Sequence, residues 1–197
     1  MAYPTIFLLR HGQTVWNVEG RYQGQLDSPL TEKGKEQAKE NALKLKKHFS
    51  SFSSIKIFSS PLGRAKSTTL ILCDTLGIDI KCIRFEDALK EFNYGAFEGK
   101  TKVYCKEVYK EAYEAREKDK WSYVLEGGES YAMVTERLKC WLESIQDEKE
   151  IVLVAHEMIN RALRGIYCAY PKEQMLQLRQ PNDVVLKLKN GDEKIFE

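Results

Sequence analysis

Apolar residues in this chain fall into short unbroken runs, separated by longer stretches in which they recur every three or four positions. Residues 5–9 (TIFLL) and 151–155 (IVLVA) form two such runs, the second rich in β-branched side chains. Runs of this kind suit strands covered on both faces. Residues 55–58 alternate and are read as a third strand, with 78–85 and 184–188 as a fourth and fifth. Helical spacing prevails between them. Residues 31–48 open on Thr31, a capping residue type, and carry Ala38, Ala42, Leu43 and Leu45 as an apolar stripe. Residues 62–76 follow Pro61 and stop at Gly77, a natural helix end. A third helix is expected over 103–120, rich in Lys, Glu and Ala. A fourth, over 130–145, starts from a Ser130 cap and lines one face with Tyr131, Val134, Leu138, Trp141, Leu142 and Ile145. A fifth follows the IVLVA run, over 158–167.

Strands alternating with helices predict an α/β fold with a mainly parallel sheet. There is no internal repeat, no low-complexity tract and no linker rich in Pro, Gly or Ser, so residues 1–197 are read as one domain. Residues 91–128 lack a strand signal and are expected to form a helical, cap-like segment over the site that the sheet builds.

Charge narrows the list of partners. The 31 Lys+Arg and 29 Asp+Glu leave a net charge of +2. A protein that binds nucleic acid by neutralising phosphates shows a larger or more clustered excess. Lys44, Lys46 and Lys47 sit near the end of a predicted helix, where they complement its dipole. Cys73, Cys82, Cys105, Cys140 and Cys168 are odd in number, widely spaced and without a C-x-x-C, which disfavours a disulfide framework or a zinc site. A reducing, cytoplasmic setting fits them best. The first residues lack the basic and apolar stretches of a signal peptide, and no run approaches the roughly 18 apolar residues of a membrane span. Neither nucleic acid nor membrane is expected as a partner. Oligomeric state is left open, a homodimer included.

Ligands of open α/β sheets bind beyond the carboxyl ends of the strands. The first predicted strand runs into Arg10-His11-Gly12, the second into Ser59-Ser60-Pro61-Leu62-Gly63-Arg64, and the IVLVA strand ends at His156. A single histidine at a strand end commonly just bonds a backbone carbonyl. Two histidines and two arginines at neighbouring strand ends are different, because they concentrate positive charge that an anion must balance. A phosphate dianion would do so, with guanidinium forks on its oxygens. The same cations disfavour protonation of His11, leaving a neutral ring able to attack phosphorus.

Leu9-Arg10-His11-Gly12-Gln13-Thr14 resembles the signature of the histidine phosphatase superfamily, the phosphoglycerate mutase-like group. The resemblance continues through Asn17, Gly20–Gly24, Asp27–Gly34, Ser59–Ala65, Glu91–Gly99, Gly128-Glu129-Ser130 and Val154-Ala155-His156, in family order over most of the chain. It implies a three-layer α/β/α fold and a phosphomonoesterase acting on a small phosphorylated substrate through a phosphohistidine, with neither metal nor cofactor. By resemblance His11 is the nucleophile; Arg10, Arg64 and His156 form the phosphate pocket; Asn17 donates a further hydrogen bond; and Glu91 is the proton donor. Glu98 competes for the acid role but is read as structural, since Glu91 matches the family acid four residues before Gly95. Arg21, Gln23 and Gly24, in the R-x-Q-G block, are expected to contact substrate and look like the phosphatase branch. The short stretch 92–155 between acid and second histidine also favours a phosphatase over a mutase, whose insertion there is generally longer. A non-catalytic phospho-ligand binder is the remaining alternative, disfavoured because Arg10, His11, Arg64 and His156 are all retained.

One position departs from the pattern. The family usually has Gly after its second histidine, and this chain has Glu157. Either Glu157 merely starts the next helix, where a negative charge suits the dipole, or its carboxylate offsets pocket charge. Specificity is expected from residues 91–128 and from the loop of Arg21, Tyr22 and Gln23. Tyr94, Phe97, Tyr104, Tyr109 and Trp121 are read as packing there rather than as a substrate wall. The resemblance leaves sugar phosphates, phosphoserine, cofactor-precursor phosphates and phosphoglycerates as substrate candidates.

Overall fold

The computed structural model describes residues 3–52 and 55–197. One sheet contains β1 (Thr5–Arg10), β2 (Lys56–Ser59), β3 (Ile83–Phe85), β4 (Glu150–Ala155), β5 (Val185–Lys189) and β6 (Asp192–Phe196), in the spatial order β3-β2-β4-β1-β5-β6. The pairs β2–β3, β2–β4 and β1–β4 are parallel; β5 runs antiparallel to β1, and β6 to β5. The expected mainly parallel α/β sheet is therefore present.

Successive side chains of a strand point to opposite faces, and here both faces are covered. Ile6 and Leu8 of β1 pack with Ile151 and Leu153 of β4 under α6 (Tyr131–Ser144) and α7 (Glu157–Tyr167). Phe7 and Leu9 pack with Val152 and Val154 under α2 (Glu32–His48) and α3 (Gly63–Leu76). This yields the three layers. Local chemistry sets the helix ends as expected: Thr31 Oγ1 accepts from Gly34 N–H at 3.0 Å, Ser130 Oγ from Met133 N–H at 3.2 Å, and Gly77 closes α3 at a left-handed φ of 67°.

Several expectations need correction. The strand placed at 78–85 is shorter: Asp79 caps a 3₁₀ turn at Ile80–Cys82, and only Ile83–Phe85 pairs, at the sheet edge. The helix placed at 103–120 is two helices, α4 (Lys102–Val108) and α5 (Lys110–Lys118). They break at Tyr109, whose ring turns in against Phe97. The short helices α1 (Val15–Glu19) and α8 (Lys172–Gln177) were not foreseen, since neither is long enough to show a period. The strand β6 was missed although Asn190-Gly191 announces it; both residues have positive φ, as a tight hairpin turn requires. Among the described residues no helix is long and apolar enough to cross a membrane.

Candidate active site

The register of the sheet brings the two strand-end histidines together. Arg10 pairs with Ala155 as the last step of the β1–β4 ladder, so His11 and His156 emerge side by side. The His11 N–H extends the ladder to Ala155 O at 3.0 Å, and the two imidazole centroids lie 5.2 Å apart. Next door, the Ser60 N–H extends β2 to Val154 O, which sets the Ser60 hydroxyl 2.7 Å from His156 Nε2.

The loop after β1 is fixed by contact between glycines. A Cβ on Gly12 would lie 2.1 Å from Gly34 O, and one on Gly34 equally close to Gln13 O. Only backbone fits between this loop and the first turn of α2. Thr68 Oγ1 accepts from Gly12 N–H at 3.0 Å, and Asn182 Nδ2 donates to His11 O at 2.6 Å. His11 is 2% exposed. Its Nδ1 lies 2.8 Å from Gly12 O, a carbonyl that can only accept, so the ring proton sits on Nδ1 and Nε2 keeps its lone pair. Burial, then Arg64 and Arg10, hold this imidazole well below its usual pKa, so it is neutral.

Arg64, in the first turn of α3, is 2% exposed. Its Nη1 donates to Leu26 O (2.7 Å) and Asp27 Oδ1 (3.0 Å), and its Nη2 to Gly24 O (2.7 Å). Asp27 also accepts the Gly63 and Arg64 backbone N–H groups, so one carboxylate aims both the helix and its guanidinium. Arg10 is held by Gln180 O at 3.1 Å and by Glu157 at 3.0 Å. The Nε atoms of Arg10 and Arg64 and the Nδ1 of His156 are buried without a protein hydrogen-bond partner. His156 is held neutral by burial, then by Arg64. With the Ser60 hydroxyl, which accepts the Leu62 N–H, donating to Nε2 of His156, the ring's proton sits on Nδ1. Buried polar groups are seldom left unpaired, and three such N–H donors around one neutral histidine suit an anion.

Glu91 is 7% exposed. Burial raises its pKa above the usual carboxylate range, although Arg64 pulls it back. Arg137 forks onto Glu129 and donates to Lys90 O and Ala88 O, while Glu129 accepts the Asn93 N–H. This clamp fixes the segment that carries Glu91. The sequence reading missed these supporting residues: Asp27, Ser60, Thr68, Arg137 and Gln180. Asp27 and Ser60 lie within quoted motif blocks, and that proximity was the available signal.

A cavity of about 280 Å³ opens over this cluster. Arg10, His11, Asn17, Arg64 and Glu91 line it together with Arg21, Gln23 and Gly24. His156 does not line it; it is fully buried beside His11. Asn17 Oδ1 accepts the Thr14 N–H in a capping box, which leaves its amide end as the free donor. Glu98 does not line the cavity and accepts the Gln25, Leu26 and Tyr94 N–H groups. Glu157 fits both of its readings. It begins α7, and it also pairs with Arg10, Arg161 (3.5 Å) and Arg179 (3.1 Å). Of the aromatic group, Tyr94 lines the cavity, whereas Phe97 is core, Tyr104 is exposed and Trp121 sits under Lys172.

A model of the histidine phosphatase superfamily (branch 1) matches residues 6–195. The chain belongs to this superfamily. Phosphoserine phosphatase 1 of Hydrogenobacter thermophilus is 33% identical over 167 residues, covering 83% of this chain and 74% of that protein. A 6-phosphofructo-2-kinase/fructose-2,6-bisphosphatase of Arabidopsis thaliana is 32% identical over 187 residues, 94% of this chain but only 24% of that protein. The chain therefore spans about a quarter of that longer relative. A solved mycobacterial glucosyl-3-phosphoglycerate phosphatase superposes with a TM-score of 0.79 at 29% identity, over 98% of this chain and 96% of that one. The expectation of a histidine phosphatase, an enzyme of the group that acts on small phosphorylated metabolites, is met.

Proposed function

We propose that this histidine phosphatase hydrolyses a phosphomonoester in two steps through a phosphohistidine on His11. One observation carries the reading: His11 presents the lone pair of Nε2 beside three buried N–H donors that have no protein acceptor. Nε2 attacks phosphorus in line, the bond to the leaving oxygen breaks, and Glu91 supplies the proton that oxygen needs. Glu91, now ionised, then takes a proton from the water that attacks the phosphohistidine, releasing inorganic phosphate and restoring both groups. Arg10, Arg64 and His156 hold the non-bridging oxygens, where charge gathers in the transition state, and Asn17 adds an amide N–H. Arg21, Gln23 and Gly24 border the substrate beyond its phosphate.

Residues 1–197 act as one domain on this reading, with 91–128 as its cap. Five free cysteines accord with a cytoplasmic setting. The test is phosphate release from p-nitrophenyl phosphate, with phosphoglycerates assayed in parallel. Steady release is expected; interconversion of phosphoglycerates without release would make the protein a mutase.

A further inference from the structure

The two arginines at the phosphate pocket are held differently. Arg64 is fixed through both terminal nitrogens, by Leu26 O, Gly24 O and Asp27. Arg10 is fixed through one: its Nη1 donates to Gln180 O at 3.1 Å and meets Glu157 Oε2 at 3.0 Å. Nη1 carries two N–H groups, so these two acceptors account for both. Among the described residues, Nε and Nη2 of Arg10 meet no protein acceptor. Those two nitrogens share one edge of the guanidinium, an edge that can grip an oxyanion with two parallel bonds. A single acceptor on Nη1 would act as a pivot, whereas two on the same nitrogen fix the plane.

Glu157 is itself aimed. It opens α7 directly after His156. Its Oε1 faces Arg179 Nη1 at 3.1 Å and Arg161 Nη2 at 3.5 Å, and its Oε2 is turned to Arg10. Arg161, one turn along α7, is pinned by Leu178 O and the Tyr131 hydroxyl, both at 2.9 Å. The Gln180 side chain donates to Leu8 O of β1 at 2.9 Å and accepts from Asn160 of α7 at 2.9 Å. Both acceptors that hold Arg10 are thus mounted on segments tied to β1 and α7.

The Glu157 carboxylate also lines the cavity. A negative charge there opposes a phosphate dianion. The substrate phosphoryl group, its transition state and the inorganic phosphate product occupy the same pocket with similar total charge. A fixed charge beside that pocket therefore acts on all three alike, and such uniform effects change KM rather than kcat.

We propose that Glu157 is a positioning residue with two separable effects: its oxygen aims the free edge of Arg10 at the phosphoryl group, and its charge weakens the pocket's hold on released phosphate. The proposal rests on the phosphatase reading. It assigns a role to the glutamate at the position where this chain departs from the usual glycine.

Three variants separate the two effects. E157Q keeps an oxygen for Nη1 and removes the charge. Titration calorimetry should find inorganic phosphate bound about 3- to 10-fold tighter, the order of one partly exposed charge at close range. With p-nitrophenyl phosphate, KM should fall by a similar factor while kcat does not rise. E157A removes the acceptor as well, and its kcat should lie about 10-fold or more below that of E157Q, because a misaimed guanidinium misplaces the reacting group. E157D withdraws the carboxylate by one methylene; it should lose kcat without binding phosphate more tightly, and it replaces E157A if that variant does not fold. Unchanged phosphate affinity in E157Q, or equal kcat in E157A and E157Q, would overturn the proposal. A loss in all three that simply follows the calorimetric active fraction would overturn it too, as the mark of a merely structural residue. Each of those results leaves the phosphatase reading intact. A wild-type protein that binds phosphate but releases none from any ester would overturn that reading and the proposal with it.

Discussion

At His11 two influences act in the same direction. Burial disfavours the charged ring, and Arg64 and Arg10 disfavour it further, so the imidazole stays neutral to below its usual value. Glu91 is shifted the other way, since burial raises its pKa against the pull of Arg64. The signs give a bell. As pH falls through the lowered value of His11, the nucleophile is protonated and kcat/KM drops. As pH rises through the raised value of Glu91, the acid is lost and kcat/KM drops again. E91Q should lower kcat/KM, which reports phosphoryl transfer to His11 and not the later hydrolysis common to all esters, by about 10²- to 10⁴-fold on an alkyl phosphate and remove the alkaline limb. Its effect on p-nitrophenyl phosphate should be much smaller, because that leaving group departs without a proton. Equal losses on both esters would remove Glu91 from the acid role.

Between elements, the loop after β1 approaches the first turn of α2 backbone to backbone. Gly12 and Gly34 meet backbone to backbone, and an added methyl would sit within 2.1 Å of a carbonyl oxygen. Backbone cannot move aside as a flexible side chain would. G34A should therefore destabilise the protein by about 2–4 kcal/mol, read as a lower midpoint in urea with an unchanged slope. Unaltered stability would mean the loop has room that the structure denies.

The same elements show what could be read in advance. The buried runs that became β1 and β4, and the caps at Thr31 and Ser130, were legible because periodicity and capping are local properties. The break at Tyr109 was not, because it comes from a ring packing on Phe97, which the local sequence does not encode. Sheet order was equally hidden. No local signal tells that β4 inserts between β1 and β2, yet that insertion sets His156 beside both His11 and Ser60. The roles proposed for His11, Arg64 and Glu91 come from the motif blocks. Their supports were less so, because Gln180 and Arg137 act through backbone carbonyls of distant segments.

For the molecule as a whole, one cavity gathers the unbalanced charge. Its cations repel one another until an anion enters, so binding should stabilise the fold as well as fill the site. Inorganic phosphate or vanadate at about 100 times its Kd contributes roughly 2.7 kcal/mol by mass action. A protein of this size should then melt about 5–10 °C higher. Sulfate-free buffer is needed for the baseline. A melting temperature indifferent to both anions would contradict an anion-binding cavity.

The central claim is that phosphorus passes through His11, and trapping the intermediate tests it most directly. Wild-type protein mixed with ³²P-labelled substrate and quenched in alkali should carry the label on the peptide containing His11. That label should be lost in acid, as a phosphoramidate requires, and H11A should show neither label nor turnover. Label on another residue, an acid-stable label, or turnover retained in H11A would contradict the account.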